Sequence, residues 1–265
     1  MKKIIHISDL HFGTENSEVV NHLIGDINDI NPNVVVVSGD LTQRAKTKEF
    51  IKVKSFLKNL ECHTVVIPGN HDIPLYNIWD RIVNPFKKFN KYFYEADRYY
   101  SDDKLEIMGL NSVRNLRWKS GKLSTVQLKI GAEEFRKSDK NLVRILVIHH
   151  NLFHVSSKRD AVKIFRTKLL QSWLMKNNID LILFGHDHKS MVQPILFDDD
   201  NTIDFILLQA GTSTSNRTRQ CPNSFNIVEI SNYDCNIKVM EYQEDKFELV
   251  SNQHFAKESS GWQYS

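Results

Sequence analysis

Short runs of β-branched and apolar residues alternate along the chain with longer stretches in which apolar residues recur every three or four positions. The runs Lys3–Ile7 and Val34–Val37 predict buried strands. The stretch Val19–Ile30 between them predicts an amphipathic helix that ends at Asn31–Pro32. The same pattern predicts further strands at Thr64–Ile67, Leu105–Leu110, Ile145–Ile148 and Leu181–Phe184. Strands that alternate with helices are typical of an α/β fold.

Helices are predicted between these strands from their apolar stripes. Residues Ser124–Gln127 match a capping box that opens a helix running to Lys137. A later helix is predicted with Phe165, Leu169 and Trp173 on one face.

A basic amphipathic helix is predicted at residues 81–93. Four apolar residues form its stripe: Ile82, Phe86, Phe89 and Phe93. Such a helix could lie on a membrane surface or cover a substrate groove, although we favour a peripheral helix that packs on the core.

The helical pattern stops after Met191. Three strands without intervening helices are predicted there, at Ile203–Leu208, Phe225–Ile230 and Asn236–Tyr242. We expect an antiparallel run that completes a second sheet. Residues 251–265 form a polar tail, whose few aromatic residues could dock on the protein body or on a second subunit. Nothing indicates a domain boundary, so we expect one domain over residues 1–265.

Composition limits the classes of protein to consider. The chain has 265 residues, of which 41% are hydrophobic, enough for a substantial core. Its formal net charge of +3 lacks the basic excess of a domain that coats nucleic acid, so we expect no sequence-specific nucleic-acid partner. The three cysteines have no metal-type spacing, and the apolar run near the N-terminus is too short for a signal peptide or a membrane span. We therefore expect reduced thiols and a cytoplasmic location.

Polar residues that can bind metal ions or transfer protons follow five of the predicted strands. They are Asp9-Leu10-His11, Gly39-Asp40, Gly69-Asn70-His71-Asp72, His149-His150 and Gly185-His186-Asp187-His188. In open α/β sheets, residues beyond the carboxyl ends of strands converge on ligand sites. Asp, Asn and His suit Mn, Fe or Zn. The three glycines stand where the backbone must turn sharply and approach the site closely.

This set of residues suits catalysis by two metal ions. Two cations about 3.5–4 Å apart can clamp the attacking and leaving oxygens of an in-line displacement at phosphorus. A carboxylate shared between them holds that spacing, and Asp40 is the residue we expect to bridge. His71 is the candidate proton donor to the leaving group, with Asp72 fixing its tautomer.

The motifs DLH, GD, GNHD, HH and GHDH, in this order from Asp9 to His188, resemble those of the calcineurin-like metallophosphoesterase family. The resemblance implies a sandwich of two central sheets flanked by helices, with two divalent metal ions. One ion is implied to bind Asp9, His11 and His188. The other is implied to bind Asn70, His149 and His186. Asp40 then bridges the two ions, His71 donates the proton and Asp72 is its partner.

Substrate contacts are expected from Asn70, His71, His150 and Arg114. His150 follows a predicted ligand and could equally well be a packing residue. Arg114 opens a cationic stretch, with Arg117, Lys119 and Lys122, that could contact phosphate or remain a solvated loop. The same alternatives hold for Arg217 and Arg219.

The compact layout resembles bacterial cyclic-nucleotide phosphodiesterases of class III most, so a small phosphodiester or nucleotide is the expected substrate. One alternative is a pyrophosphohydrolase that acts on UDP-2,3-diacylglucosamine at a membrane surface, which the predicted basic helix would suit. A DNA-repair nuclease is disfavoured by the short chain and weak charge. A different class is a non-catalytic scaffold on the same fold, which would be expected to lose ligands that this sequence retains.

Overall fold

The first strand, β1 (Lys2–Ile7), is buried on both faces, which requires a layer of structure on each side. Ile4 packs in the interior between two sheets, whereas the next residue, Ile5, packs among helices outside. The computed structural model describes residues 1–94, 97–116, 120–139, 141–155, 162–164, 168–196, 202–216, 221–231, 233–258 and 261–265.

The first sheet has β1 near its centre. From edge to edge it consists of β15 (Gly261–Tyr264), β14 (Lys246–Glu258), β13 (Asp234–Gln243), β12 (Ser224–Ile230), β1, β2 (Val34–Val37) and β3 (His63–Val66). The strands β1, β2 and β3 are parallel. The strands from β12 to β15 are antiparallel, and β12 pairs antiparallel with β1.

The second sheet is built from the middle of the chain. Its order is β10 (Met191–Ile195), β11 (Phe205–Gln209), β9 (Leu181–Phe184), β6 (Val143–Val147), β5 (Leu105–Gly109) and β4 (Tyr99–Ser101). The four inner strands are parallel, and the two outer strands are antiparallel to their neighbours. The strands β7 (Phe153–Val155) and β8 (Val162–Ile164) pair antiparallel as a separate two-stranded sheet.

Helices cover the outer face of each sheet. They are α1 (Ser17–Ile30), α2 (Thr47–Lys58), α3 (Ile78–Val83), α4 (Lys87–Phe93), α5 (Thr125–Lys137) and α6 (Lys168–Lys176). The helices α1, α2 and α4 pack on the first sheet, and α5 and α6 pack on the second. The predicted α/β fold, a two-sheet sandwich flanked by helices, is confirmed.

Two predicted strands and one predicted helix start are also confirmed. The strands Val34–Val37 and Leu181–Phe184 have the predicted bounds. Ser124 and Gln127 form the predicted capping box at the start of α5, with the Gln127 N–H donating to Ser124 Oγ at 3.2 Å. All three cysteines are free. Among the helices in the described part of the chain, none has both the length and the apolar character needed to cross a membrane.

The prediction that the later strands together complete a second sheet is wrong, because they divide between the two sheets. The strands from β12 to β15 extend the first sheet, and β11 joins the second sheet parallel to β9. The described part of the tail belongs to this first sheet, because β14 and β15 pair within it, and its Phe255 and Trp262 are buried in the interior of the sandwich. Trp262 Nε1 donates to Asp180 Oδ1 at 2.8 Å, which ties β15 to the start of β9.

The predicted single helix at residues 81–93 is wrong. Two short helices, α3 and α4, are separated at Asn84–Pro85, because proline disfavours helical geometry at the residue before it. Only α4 matches the predicted stripe, with Phe89 and Phe93 buried. In α3 the polarity is reversed: Arg81 is buried, whereas Ile82 is 52% exposed.

The predicted apolar face of α6 is confirmed at Trp173 but is wrong at Leu169. Leu169 is 52% exposed, and the buried apolar residues are Leu170, Trp173 and Leu174. Phe165 lies outside the described residues, so its part in that face stays a prediction.

The carboxyl ends of β2, β3 and β6 approach each other too closely for side chains at two glycines. A Cβ on Gly69, after β3, would lie 2.1 Å from both the backbone nitrogen and Oδ1 of Asp40. A Cβ on Gly39, after β2, would lie 2.6 Å from Nδ1 of His149, and the φ of Gly39 is +103°. These contacts bring the ends of β2, β3 and β6 together.

We predict that Gly69→Ala lowers the free energy of unfolding by about 1–3 kcal/mol or more, because the added methyl meets backbone that cannot rotate away. The matched control is Gly25→Ala on the exposed side of α1, where a Cβ meets nothing within 4 Å. That change should raise the free energy of unfolding by about 0.5–1 kcal/mol. Urea denaturation of both variants measures the difference. Equal, small effects of the two substitutions would contradict the close approach.

Candidate metal centre

Hydrogen bonds between loops draw five strand ends to one edge of the sandwich. After β1, the Asp9 N–H donates to the Gly39 carbonyl at 3.0 Å. After β9, the Gly185 N–H donates to the His149 carbonyl at 3.2 Å. The His149 side chain crosses between the sheets, where Nδ1 donates to the Ser38 carbonyl at 2.8 Å. The loops of both sheets therefore contribute side chains to one buried cluster.

The Asp40 carboxylate lies between two groups of histidines. Its Oδ1 atom is 3.4 Å from His149 Nε2. Its Oδ2 atom is 3.8 Å from His11 Nε2. Oδ1 also accepts a hydrogen bond from the backbone N–H of His71 at 2.8 Å, which fixes the orientation of the carboxylate. Each oxygen of Asp40 thus faces a different set of nitrogen donors.

The first set comprises Asp9, His11 and His188, whose donor atoms lie within 4.8 Å of one another. His11 Nε2 is 3.0 Å from His188 Nε2, and His188 Nε2 is 3.2 Å from Asp9 Oδ1. Asp9 Oδ2 accepts hydrogen bonds from Ser8 Oγ and the His186 N–H. Apart from this His188 nitrogen, the buried Asp9 Oδ1 has no hydrogen-bond partner among the described residues, as expected of an oxygen that binds a cation.

The second set lies on the other side of Asp40. Because His149 Nδ1 donates to the Ser38 carbonyl, the other ring nitrogen, Nε2, faces the cluster, 3.2 Å from Asn70 Oδ1, and is the atom that would bind a cation after losing its proton. The His186 ring centroid is 5.2 Å from that of His149. His186 Nδ1 is buried and, within the described ranges, has no hydrogen-bond partner. Both sets therefore offer oxygen and imidazole donors that could hold a divalent cation.

Backbone strain is concentrated at this edge. The positive φ values of candidate ligands are 51° at Asp9, 47° at His11, 52° at Asp40, 78° at His186 and 60° at His188. Residues other than glycine seldom adopt this left-handed region, and each instance costs about 1–3 kcal/mol. The surrounding sheets hold these residues in a conformation that aims successive side chains at one point.

The electrostatics of the cluster favour positive charge. Burial opposes the charge on Asp40, but attraction from His149 outweighs it and holds the pKa of Asp40 well below its usual range. Burial likewise opposes a charge on His149, but the Asp40 carboxylate raises the pKa of His149 to about 9. Burial lowers the pKa of His11 to about 4, which keeps that ring neutral and able to act as a ligand.

The predicted pairing of Asp72 with His71 is wrong. His71 Nδ1 donates to the backbone carbonyl of Gln43 at 2.9 Å. Asp72 lies in the 3₁₀ turn Asn70–Asp72, which directs its carboxylate to backbone N–H groups of Leu41, Thr42 and Gly69. Burial, followed by repulsion from Asp40, raises the pKa of Asp72 to about 7. Asp72 therefore braces the loops after β2 and β3.

The other predicted substrate contacts have different outcomes. His150 joins the cluster, with its ring centroid 4.7 Å from that of His186. Arg114 is half-buried, with Nη1 buried and lacking a hydrogen-bond partner in the part of the chain that is described, and its contact with substrate stays a prediction. Lys122 is exposed. The remaining predicted cationic residues, Arg117, Lys119, Arg217 and Arg219, lie outside the described residues.

Sequence reasoning missed the serines that hold the site residues. Ser8, Ser38 and Ser112 contact Asp9, His149 and the His149–His150 backbone respectively. Each follows a strand, as the ligands do. That position was the available signal, but a serine does not stand out among candidate metal ligands.

A sequence profile described as calcineurin-like phosphoesterase matches residues 2–190. Two relatives bear the name probable cyclic nucleotide phosphodiesterase. The protein from Coxiella burnetii is 24% identical over 196 residues, which cover 70% of this chain and 75% of that protein. The protein from Ruthia magnifica is 27% identical over 195 residues, which cover 70% and 78%.

Solved structures share the fold. A purple acid phosphatase from yellow lupin superposes with a TM-score of 0.71 at 12% identity, covering 96% of this chain and 53% of that one. This chain therefore spans about half the length of the lupin enzyme. A dimetal phosphatase from Danio rerio superposes with a TM-score of 0.65 at 12% identity, covering 96% and 98%.

The profile match covers most of the chain and includes every candidate ligand. The members of that family are hydrolases of phosphoesters that use a binuclear divalent metal centre, and the clusters around Asp40 provide donors for one. This protein belongs to the calcineurin-like phosphoesterase family.

Proposed function

We propose that the protein is a binuclear metal-dependent phosphodiesterase that acts on small phosphodiesters, with cyclic nucleotides as the leading class. The observation that carries the proposal is the placement of Asp40, whose two oxygens face His149 and His11 on opposite sides. One carboxylate between two donor sets is the arrangement that a pair of cations requires.

The ligand assignment follows the two sets. Asp9, His11 and His188 would hold one cation, and Asn70, His149 and His186 would hold the other, with Asp40 shared between them. Among the described residues, His186 Nδ1 is buried without a hydrogen-bond partner, and Asp9 Oδ1 is buried beside the His188 nitrogen; both support this assignment, since a buried polar atom needs a partner. Two bound cations would supply the positive charge that activates a water molecule and stabilises the transferred phosphoryl group. Mn, Fe and Zn all suit this donor set.

His71 is the proposed proton donor to the leaving oxygen. Its Nδ1–H is committed to the Gln43 carbonyl, so a proton for the substrate must come from Nε2. The ring can donate from Nε2 while keeping that bond only when both nitrogens are protonated. The Gln43 carbonyl thus takes the orienting role first assigned to Asp72.

The substrate class rests on the relatives. Two proteins that match this chain over about three quarters of their own length, at 24% and 27% identity, are named probable cyclic nucleotide phosphodiesterases. Because these relatives and the family profile, which includes every candidate ligand, both indicate phosphoester chemistry, a similar small phosphodiester is the leading substrate.

A second candidate function, hydrolysis of a lipid-linked nucleotide such as UDP-2,3-diacylglucosamine, is favoured by a different observation. The helix α3 exposes apolar side chains, with Ile78 67% and Trp79 76% exposed. Arg81 anchors this helix by donating to the carbonyls of Pro74 and Asn115, in the loops that follow the candidate site residues Asp72 and Ser112. An exposed apolar surface beside a phosphoesterase site would suit the acyl part of an amphiphilic substrate.

Two substitutions separate the metal bridge from the proton donor. We predict that Asp40→Ala loses both bound metal and activity. His71→Ala should retain metal, because its backbone N–H still orients Asp40, while turnover falls about 10²–10⁴-fold. Metal analysis together with hydrolysis of bis(p-nitrophenyl) phosphate in Mn measures both effects.

Equal loss of metal in the two variants would show that His71 is a ligand or a structural residue. If wild-type protein bound no metal and hydrolysed no bis(p-nitrophenyl) phosphate, the proposed enzymatic function would be rejected in favour of a non-catalytic scaffold.

The proton-donor role also predicts dependence on the leaving group. His71→Ala should slow a diester with an alkyl leaving group far more than one with a p-nitrophenyl group, because a stabilised phenolate departs without a proton. Comparison of kcat for the two substrates in wild type and variant measures this. The same fractional loss with both would argue that His71 does not act as an acid.

A substrate panel tests the choice between the two functions. Cyclic AMP, 2′,3′-cyclic nucleotides, single-stranded DNA and micellar UDP-2,3-diacylglucosamine are compared in Mn at equal concentration. We predict that a cyclic nucleotide is hydrolysed far above the rest. The lipid function would prevail instead if the diacylglucosamine led and Trp79→Ser selectively reduced its hydrolysis.

A further inference from the structure

Ser112 makes a set of hydrogen bonds that determines the chemistry of His150. This serine is fully buried beyond the end of β5. Its hydroxyl oxygen accepts the backbone N–H of His149 at 3.2 Å and of His150 at 3.1 Å. The same oxygen lies 3.0 Å from Nδ1 of the His150 ring.

The donors and acceptors can be assigned by counting. A serine oxygen has two lone pairs and one hydrogen. The two backbone N–H groups occupy both lone pairs of Ser112 Oγ, so its single proton must be donated to His150 Nδ1. An imidazole that accepts at Nδ1 carries its own proton on Nε2. The His150 ring is thereby held as the neutral Nε2–H tautomer.

The His150 ring is fixed in place beside the second donor set. Its centroid is 5.0 Å from that of His149 and 4.7 Å from that of His186. The backbone of Gly121 packs against the His150 side chain, since a Cβ there would lie 2.6 Å from His150 Cβ. A ring nitrogen of His150 lies within 4.8 Å of those of His149 and His186, so distance alone would allow a third metal ligand.

We propose that Ser112 is a positioning residue which makes His150 a hydrogen-bond donor to the phosphoryl group of the substrate and prevents it from acting as a metal ligand. A nitrogen that carries a proton has no lone pair for a cation but can donate to a phosphoryl oxygen. The inference rests on the proposed function, since it needs a phosphoester bound beside His149 and His186.

The tautomer can be measured without activity. In zinc-loaded protein with ¹⁵N-labelled histidine, long-range ¹H–¹⁵N spectra should show the His150 ring neutral and protonated at Nε2, with His150→Gln used for assignment. Ser112→Ala should shift this ring toward a mixture of tautomers. A proton on Nδ1, or zinc on either nitrogen of His150, would overturn the proposal.

Phosphate binding measures the contribution of the His150 Nε2–H group. For His150→Leu we expect the Kd of inorganic phosphate to rise about 10- to 100-fold, the usual worth of a hydrogen bond to a charged acceptor, with both metal ions retained. The KM of bis(p-nitrophenyl) phosphate should rise in parallel. Loss of metal in this variant would instead identify His150 as a ligand and reject the proposal.

The serine is tested with its own controls. Ser112→Ala should weaken phosphate binding in the same direction as His150→Leu, and Ser112→Thr, which keeps the hydroxyl, should restore it to within about threefold. Ser138→Ala removes a hydroxyl that bonds the Phe135 carbonyl before β6, away from the cluster, and should leave phosphate affinity unchanged. Wild-type phosphate affinity in Ser112→Ala would contradict the positioning role of Ser112.

Failure of this inference can be told apart from failure of the proposed function. Wild-type protein that hydrolyses bis(p-nitrophenyl) phosphate in Mn, while His150→Leu binds phosphate normally, rejects the inference alone. Wild-type protein with no metal-dependent hydrolysis rejects the proposed function, and the tautomer spectrum still decides the state of His150.

Discussion

A buried carboxylate at the meeting point of two sheets imposes the main constraint on this structure. Asp40 is 1% exposed, and a negative charge in that position must be balanced by nearby donors or cations. The chain meets this demand with the His71 N–H and the rings of His11 and His149, which come from three other strand ends. Gly69 can have no side chain because its backbone contacts this same carboxylate.

The layers of the sandwich explain how such a demanding site is maintained. The strands β1 and β2 are buried on both faces by their isoleucine and valine side chains, so the left-handed backbone at Asp9 and Asp40, just beyond their ends, has little freedom to relax. The strain is local, whereas the packing that opposes it extends through the whole sandwich. A site built in this way is organised before any ligand arrives, which favours binding and catalysis over flexibility.

Secondary-structure elements could be predicted from the sequence more accurately than the pairing of the strands. Val34–Val37 was predicted residue for residue because an unbroken apolar run of that length fits only a buried strand here, but no periodicity tells that β12 pairs with β1. The apolar periodicity continues across Pro85 and so predicted one helix, although proline breaks the helix there. The candidate ligands stood out by residue type and position, whereas Asp72 misled because sequence neighbours in a 3₁₀ turn point in different directions. Ser112 escaped notice because its role depends on a contact with residues 37 and 38 positions away.

The pairing of β1 with β12 has a consequence for the folding pathway. Lys2 aligns with Ile230, so the centre of the first sheet can close only by a contact across more than 220 residues. Loop-closure entropy must be overcome before such a contact yields any stability, and chains rich in non-local pairs fold slowly. The parallel units from β1 to β3 can form early from local contacts, leaving one side of β1 as an unpaired edge until β12 arrives. We expect that transient edge to favour misassembly until β12 covers it.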